Sequence, residues 1–77
     1  MFETLKSMLS EEMNIDAELI KPEAELVADL GINSLELADL IFNCEEKFSV
    51  EIDEEDARSF RTVGDVVAYL EEKTANG

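Results

Sequence analysis

Histidine and tryptophan are absent from the sequence, and its 77 residues include one cysteine, one proline and three glycines. Without histidine, a His-dependent catalytic triad or a His-ligated metal site is excluded. The single cysteine, Cys44, cannot form an intrachain disulfide, so the chain is not a disulfide-stapled secreted domain. Cys44 also has no histidine to activate it, and a small buried hydrophobe is the favoured interpretation. We therefore expect no enzyme, and a reducing, cytoplasmic compartment.

Long apolar runs are missing as well. No stretch approaches the roughly 18 apolar residues that a membrane span needs. The first residues carry no basic region, and no apolar segment of signal length follows them. Neither a membrane span nor a secretory signal is predicted.

Basic residues are scarce: six Lys and Arg stand against 20 Asp and Glu, for a net charge of −14. Such a chain repels the phosphate backbones of nucleic acids, which favour basic proteins. It attracts basic protein surfaces and speeds encounters with them. It also repels itself, and we expect a monomer that binds basic partners and no nucleic acid.

The length allows one domain, spanning residues 1–77, and an apolar fraction of 45% is enough for it to fold. Apolar residues at helical spacing predict three main helices and one short helix, with no strand of useful length. The main helices cover about 2–14, 34–48 and 63–73, and the short helix covers 54–58. We therefore predict an all-α, four-helix bundle with a long first loop at 15–33 and a frayed tail at 74–77.

The long loop carries apolar residues that look like anchors in the core. A short turn is predicted at Asp16–Leu19, and the anchors are Ile15, Leu19, Leu26 and Leu30. So long a loop is uncommon in a small domain, and such loops are often functional.

Capping residues mark where the later helices begin. Asn33 is a favoured N-cap and Glu36 stands three residues later, as in a capping box. Asp53 is placed to cap the short helix, and Thr62 with Asp65 forms a similar pair before the last helix.

The second helix carries two apolar stripes when its residues are placed about 100° apart. The first stripe contains Leu37, Leu40, Ile41, Cys44 and Phe48. The second, here called the outward stripe, contains Leu35, Ala38 and Phe42, and is flanked by Asp39, Glu45 and Glu46. Since a helix in a small bundle buries one face, the outward stripe indicates a docking surface for a basic partner. The alternative is that the bundle buries this stripe too.

Ser34 is the first residue of this helix if Asn33 is the cap. The free N–H groups and dipole of a helix N-terminus favour a phosphate there. The alternative is that Ser34 merely helps to cap the helix.

Several segments of the sequence resemble acyl carrier proteins. Residues 29–36, D-L-G-I-N-S-L-E, are similar to the family motif D-L-G-x-D-S-L. The similarity continues at matching spacing through E-E-K-F at 45–48, E-I at 51–52 and T-V-G-D-V-V-A-Y-L at 62–70. It covers nearly the whole chain, and the acidity also matches.

The resemblance implies a carrier that performs no chemistry itself. A phosphopantetheinyl transferase would move 4′-phosphopantetheine from coenzyme A onto Ser34, and the thiol of this arm would hold acyl groups as thioesters. Fatty-acid, lipid or polyketide synthases and transferases would dock through basic patches on the acidic second helix. The matching docking positions are Asn33, Leu35, Ala38, Asp39, Phe42 and Glu46. The implied acyl pocket contains Leu40, Cys44, Ile52, Phe60 and Val66.

The sequence departs from the family pattern at a few positions. Asn33 replaces the usual Asp before the serine, which removes a charge that a transferase would meet. Phe42 stands where Met is common, Cys44 where Leu is common, and Asp53 where Pro is common. These differences favour a specialised carrier over the housekeeping one.

Some features of the sequence are compatible with other functions. Aminoacyl or peptidyl carriers share the fold but are less acidic and often show G-G-H/D-S, and a D-alanyl carrier usually has D-S-M. The chain begins with its own Met1, which favours a freestanding carrier. An EF-hand calcium sensor starting at Asp53 would need Gly where Arg58 stands and Glu where Gly64 stands, so no specific metal site is predicted. An acidic mimic of nucleic acid is permitted by charge alone.

Overall fold

The structure is a computed structural model that describes residues 1–75. Within this range the chain forms four α-helices, α1 (Phe2–Glu12), α2 (Ser34–Phe48), α3 (Glu54–Ser59) and α4 (Val63–Ala75). Extended pairing in the same range is limited to an isolated antiparallel bridge between Glu25 and Thr62. The predicted all-α bundle with one short helix is therefore confirmed.

Helix α1 buries one face and ends two residues earlier than predicted. Leu5, Met8 and Leu9 are buried, and α1 contacts α4 and the loop that follows. The helix ends at Glu12 because Asn14 adopts a left-handed φ of 57°. That turn lets the Ile15 N–H donate to the Leu9 carbonyl at 3.2 Å, which starts the long loop close to the core.

The predicted turn at the start of the loop is present as a 3-10 turn over Ala17–Leu19. The Asp16 side chain accepts a hydrogen bond from the Glu18 N–H at 2.9 Å and caps this turn. The predicted anchor at Leu19 is wrong, because this side chain is 53% exposed. The chain becomes extended at the next residue, and Ile20 enters the core instead.

The rest of the loop is anchored more deeply than predicted. Leu26 is buried as expected, whereas Ile15 and Leu30 are only partly buried. Ala24 and Ile32, which were not among the predicted anchors, are also buried. Ala24 has a small side chain and Ile32 follows a glycine, and neither belongs to a helical repeat of apolar residues. Helical spacing therefore could not predict their burial.

Backbone hydrogen bonds join this loop to the chain at the start of α4. The Leu26 N–H donates to Arg61 O at 2.9 Å, the Val63 N–H donates to Ala24 O at 2.9 Å, and the Gly64 N–H donates to Pro22 O at 2.7 Å. The loop thereby satisfies its buried backbone groups without regular structure.

Helices α3 and α4 begin at the predicted positions. Asp53 is the N-cap of α3 but makes no side-chain capping bond. Before α4, the Asp65 carboxylate accepts from the Thr62 N–H at 3.0 Å, and the Thr62 hydroxyl accepts from the Asp65 N–H at 3.2 Å. The tail was expected to fray from Thr74, but α4 includes Thr74 and Ala75; the expectation for residues 76–77 falls outside the described part.

The core lies where α1, α2 and α4 meet the loop. Its buried apolar residues include Leu5, Leu9, Leu26, Ile32, Leu40, Cys44, Val63, Val66 and Leu70. Over residues 1–75, none of the helices is long and apolar enough to cross a membrane.

Candidate functional site

The site is built around the first turn of α2, which has a complete capping box. Asn33 Oδ1 accepts from the Glu36 N–H at 2.8 Å, and Glu36 Oε1 accepts from the Asn33 N–H at 3.1 Å. The predicted cap is therefore confirmed. The box fixes where the helix starts, since it occupies backbone N–H groups that would otherwise lack a partner.

Ser34 is the first residue of α2, and its side chain is exposed. The capping oxygen belongs to Asn33, so the side chain that caps α2 is that of Asn33 and not that of Ser34. The hydroxyl instead stands at the positive end of a 15-residue helix dipole, where an attached phosphate is favoured.

A groove of about 560 Å³ opens between α2 and α3 and includes Ser34 in its lining. The α2 wall consists of Ser34, Leu37, Ala38, Ile41, Phe42 and Glu45, and the opposite wall consists of Ile52, Glu54, Ala57 and Arg58. Most of these side chains are apolar. The α2–α3 groove can therefore shelter an extended apolar chain that starts at the serine.

Two polar contacts lie along the α2–α3 groove. The Ile52 N–H donates to Glu45 Oε2 at 2.9 Å, which connects α2 to the segment before α3. On α3, Arg58 Nη2 donates to Glu54 Oε1 at 2.9 Å. Glu54, Ala57 and Arg58 share one helix face at i, i+3 and i+4, a spacing that could have revealed this wall in the sequence.

The predicted acyl pocket and the groove share one residue, Ile52. Leu40, Cys44 and Val66 are fully buried in the core, and Phe60 packs edge-on against Tyr69 with ring centroids 5.2 Å apart. These four side chains would meet an acyl chain only if the core opened beneath the groove. Their role as a pocket stays a prediction.

Cys44 behaves as a buried hydrophobe. Burial, followed by the nearby carboxylates of Glu12 and Glu45, raises the pKa of its thiol to about 12. At neutral pH the sulfur is therefore protonated and unreactive.

The two stripes of α2 face opposite environments. Leu40, Ile41 and Cys44 of the first stripe are buried, with Leu37 and Phe48 packed against them. In the outward stripe, Leu35 is 75% exposed, Phe42 is 59% exposed and Ala38 is also exposed. The alternative that the bundle buries the outward stripe is therefore wrong.

Acidic residues surround the outward stripe unevenly. Asp39 and Glu46 are exposed, whereas Glu45 is half-buried and turned toward Ile52. A second hollow of about 370 Å³ lies beside Phe42 and is lined by Glu12, Met13, Asn14, Glu36, Asp39 and Asn43. Across residues 1–75, no three His, Cys, Asp or Glu side chains are arranged to hold a metal ion.

Comparison with known proteins identifies the site's family. The family model for the phosphopantetheine attachment site matches residues 3–70. Over 72 residues the chain is 47% identical to the acyl carrier protein of Helicobacter pylori strain G27, covering 94% of this chain and 92% of that protein. The chain belongs to the acyl carrier protein family. It is therefore a carrier and not an enzyme, with phosphopantetheine as its prosthetic group.

Other acyl carrier proteins support this assignment. The protein from Helicobacter hepaticus is 44% identical over 70 residues, which cover 91% of this chain and 92% of that one. The crystal structure of an acyl carrier protein from Thermotoga maritima superposes with a TM-score of 0.85 at 26% identity, covering 96% of this chain and 86% of that one. The bundle is thus the acyl carrier protein fold, and the calcium-sensor and nucleic-acid-mimic alternatives lose their basis.

The residues present fit a phosphopantetheine group. The arm needs an exposed hydroxyl for its phosphate and room beside it for an extended chain. Ser34 offers the hydroxyl at a helix N-terminus, and the α2–α3 groove offers apolar walls that include the same residue.

Proposed function

We propose that Ser34 is the attachment residue and that residues 1–77 act as one carrier domain. The hydroxyl oxygen of Ser34 would form the phosphodiester with 4′-phosphopantetheine, losing its proton as the nucleotide half of coenzyme A leaves. The observation that carries this proposal is the exposed serine, freed from capping by Asn33, at one end of an apolar groove.

The bound arm supplies a thiol that holds an acyl group as a thioester. The protein's own residues serve this group in two ways. The first turn of α2 places the N–H groups and the helix dipole beside the phosphate. The apolar walls of the α2–α3 groove, among them Leu37, Ile41 and Ile52, remove part of an acyl chain from water.

The outward stripe with its acidic rim would form the docking surface for partner enzymes. Leu35, Ala38 and Phe42 offer apolar contact next to Ser34, while Asp39 and Glu46 attract basic patches. Asn33 lies beside the serine and would meet the phosphopantetheinyl transferase. Charge complementarity makes such encounters fast without making them long-lived, which suits a carrier that visits several enzymes.

The partners would be the transferase and the acyl-carrier-dependent synthases and transferases of a cytoplasmic pathway. The departures at Asn33, Phe42 and Cys44 favour a specialised carrier within that class. The charge of −14 supports a monomer that binds basic surfaces.

The attachment is tested by intact mass after incubation with coenzyme A and a broad-specificity phosphopantetheinyl transferase. The wild type should gain one phosphopantetheine, and Ser34→Ala should gain none while keeping its helical circular dichroism. Ser7→Ala is the matched control, since Ser7 is an exposed serine on α1, and it should be modified like the wild type.

Two results would count against the attachment at Ser34. One is a mass gain on Ser34→Ala, and the other is an unmodified wild type beside an active control carrier. In the second case the variant Asn33→Asp decides the cause. If the transferase requires an acidic residue before the serine, Asn33→Asp will be modified; if the proposal is wrong, it will stay unmodified.

The docking surface is tested by reversing charge in the double variant Asp39→Lys, Glu46→Lys. We expect slower modification at low salt and a weaker dependence on salt, because screening acts on the attraction that the variant removes. The control reverses Glu3 and Glu71, which are exposed on α1 and α4. Equal rates for both variants would mean that overall charge, and not the α2 face, controls the encounter.

A further inference from the structure

Arg58 is a cation in the wall of a groove whose other lining side chains, apart from Ser34, are apolar or acidic. The sequence has six basic residues, and Arg58 is the one found in the groove lining given by residues 1–75. It projects from α3, whose first turn holds Glu54, Glu55 and Asp56. A guanidinium group does not stabilise an apolar acyl chain, so binding of such a chain does not explain why Arg58 lines the groove.

The guanidinium of Arg58 is held only loosely. Within residues 1–75 it pairs with Glu54, four residues earlier on α3, at 2.9 Å, and the two side chains are 75% and 82% exposed. Exposed pairs of this kind contribute little to stability because solvent screens them. Arginine has five N–H donors, and the contact with Glu54 uses the Nη2 group. Arg58 can therefore turn to a second anion in the groove.

The two acidic side chains of the groove, Glu45 and Glu54, already have partners. Glu45 accepts the N–H of Ile52 at 2.9 Å and holds the segment before α3 in place. Glu54 carries the same charge sign as any anionic ligand and would have to release Arg58. Among the lining residues within 1–75, Arg58 is therefore the cation that an anion would meet, in addition to the N-terminus of α2 at Ser34.

We propose that Arg58 binds an anionic group of the material held in the groove. The guanidinium fork matches a carboxylate or a phosphate oxygen pair, which an ammonium group does not. If Ser34 bears the arm, as proposed above, two sources of such an anion would reach the groove. One is the phosphodiester of the arm itself, and the other is a carboxylate at the end of the acyl group.

The test compares melting temperatures of four forms of the protein: unmodified, carrying the arm alone, carrying a hexanoyl group, and carrying an adipoyl group. Hexanoyl and adipoyl have the same chain length, and adipoyl adds a terminal carboxylate. Each form is made in the wild type, in Arg58→Gln and in Arg61→Gln. Arg61 is the matched control, since it is 76% exposed and pairs with Glu25 at 3.2 Å outside the groove lining.

The pattern of shifts identifies the anion. If Arg58 binds the phosphodiester, the change in melting temperature on adding the arm should be about 4 °C less favourable in Arg58→Gln than in the wild type for every arm-bearing form, and Arg61→Gln should match the wild type. If Arg58 binds the cargo, that difference between Arg58→Gln and the wild type should appear with adipoyl and be absent with hexanoyl.

Equal changes in melting temperature on loading in the wild type and in both variants would overturn the proposal. Equal reductions of that change in Arg58→Gln and Arg61→Gln would also overturn it, because they would indicate a general charge effect. Intact mass on each sample separates this failure from the earlier one. A protein that loads on Ser34 but shows no Arg58-specific shift contradicts only the role of Arg58. A protein that never gains the arm contradicts the attachment, and the role of Arg58 falls with it.

Discussion

The loop at 15–33 and helix α3 are attached to the bundle in opposite ways. The loop has little regular structure, yet it buries Ile20, Leu26 and Ile32 and exchanges backbone hydrogen bonds with the start of α4. Helix α3 is regular over six residues, yet it buries no side chain. Regular hydrogen bonding and firm attachment are therefore separate properties in this molecule.

Helix α3 contacts Tyr69 on α4, and its Ala57 side chain packs partly buried against the core. The Tyr69 hydroxyl donates to Asp56 Oδ2 at 2.9 Å, and its ring meets the Phe60 ring edge-on. Burial, then the bond to Asp56, raises the pKa of Tyr69 above its usual value, which keeps this donor protonated at neutral pH. Helix α3 is therefore attached through partly buried contacts and not through fully buried side chains.

The contrast bears directly on the α2–α3 groove. Its first wall, α2, rests on Leu40, Ile41 and Cys44 in the core, while its second wall includes α3. A larger acyl group in the groove would therefore contact α2, which is anchored in the core, and α3, which has no fully buried side chain. Adjustment to different acyl groups should therefore occur at α3 and leave the loop unchanged.

The largest expected effect tests whether the loop is truly part of the core. Leu26→Ala should lower the free energy of unfolding by about 3 kcal/mol, because it removes a fully buried side chain and leaves a cavity. Val27→Ala is the control, since Val27 is 65% exposed and its truncation should change the free energy of unfolding little. Chemical denaturation measures both, and similar values for the two variants would refute the anchoring role of the loop.

A smaller effect tests the contact between loop and α4. Alanine normally stabilises a helix by about 1 kcal/mol relative to glycine. At Gly64, however, an added Cβ would lie 2.9 Å from the Pro22 carbonyl oxygen, which is backbone and cannot move aside freely. We expect Gly64→Ala to lower the free energy of unfolding by about 2 kcal/mol. A higher melting temperature for Gly64→Ala than for the wild type would show that the loop backbone at Pro22 can move away from the added Cβ.

The next effect concerns the capping box before α4 and depends on pH. The Arg61 and Thr62 N–H groups donate to the Asp65 carboxylate and lower its pKa. The folded state therefore gains stability from this group above the pKa of the unfolded chain, about 3.9, and loses it as pH falls through the lower folded pKa. Asp65→Asn should cost about 1 kcal/mol at pH 7.

Melting curves between pH 6 and pH 2, the range in which carboxyl groups titrate, check this assignment. The difference between wild type and Asp65→Asn should shrink as the pH falls. Glu71→Gln, an exposed acid on the same helix, serves as the control. A difference that stays constant with pH would mean that the carboxylate charge is irrelevant to the cap.

Local features of the fold could be predicted from the sequence because their causes lie within a few residues. The Asn33 and Glu36 pair fixed the start of α2, and the spacing of Leu40, Ile41 and Cys44 identified its buried face. The exposure of the outward stripe could be predicted in the same way, because exposure on one helix follows from its own periodicity once the opposite face is buried.

Features that depend on how segments meet could not be predicted in this way. Leu19 and Ile20 are equally apolar, and only the 3-10 turn before them decides which enters the core. In the sequence, Arg58 stands out only because it occupies a position where a calcium-binding loop needs glycine. Its place in the groove depends on how α3 lies against α2. No spacing within one helix encodes the distance to another.

The smallest global effect, and the sharpest test of the contrast, comes from removing one oxygen atom. Tyr69→Phe deletes the hydrogen bond to Asp56 but keeps the ring against Phe60. The free energy of global unfolding should fall by no more than about 1 kcal/mol. Amide hydrogen exchange in α3 should nevertheless rise about fivefold, while exchange at Leu26 and Val63 in the loop contact stays unchanged.

A double-mutant cycle with Asp56→Ala assigns this change to the bond itself. If the hydroxyl and the carboxylate act together, the double variant should exchange no faster in α3 than the more affected single variant. Additive effects would mean that the two groups act separately, and α3 would then have to be held by the Phe60 ring contact. The loop amides serve as an internal reference in the same sample. If hydrogen exchange became faster in both α3 and the loop, the two regions would open as one unit, and the contrast between them would not hold.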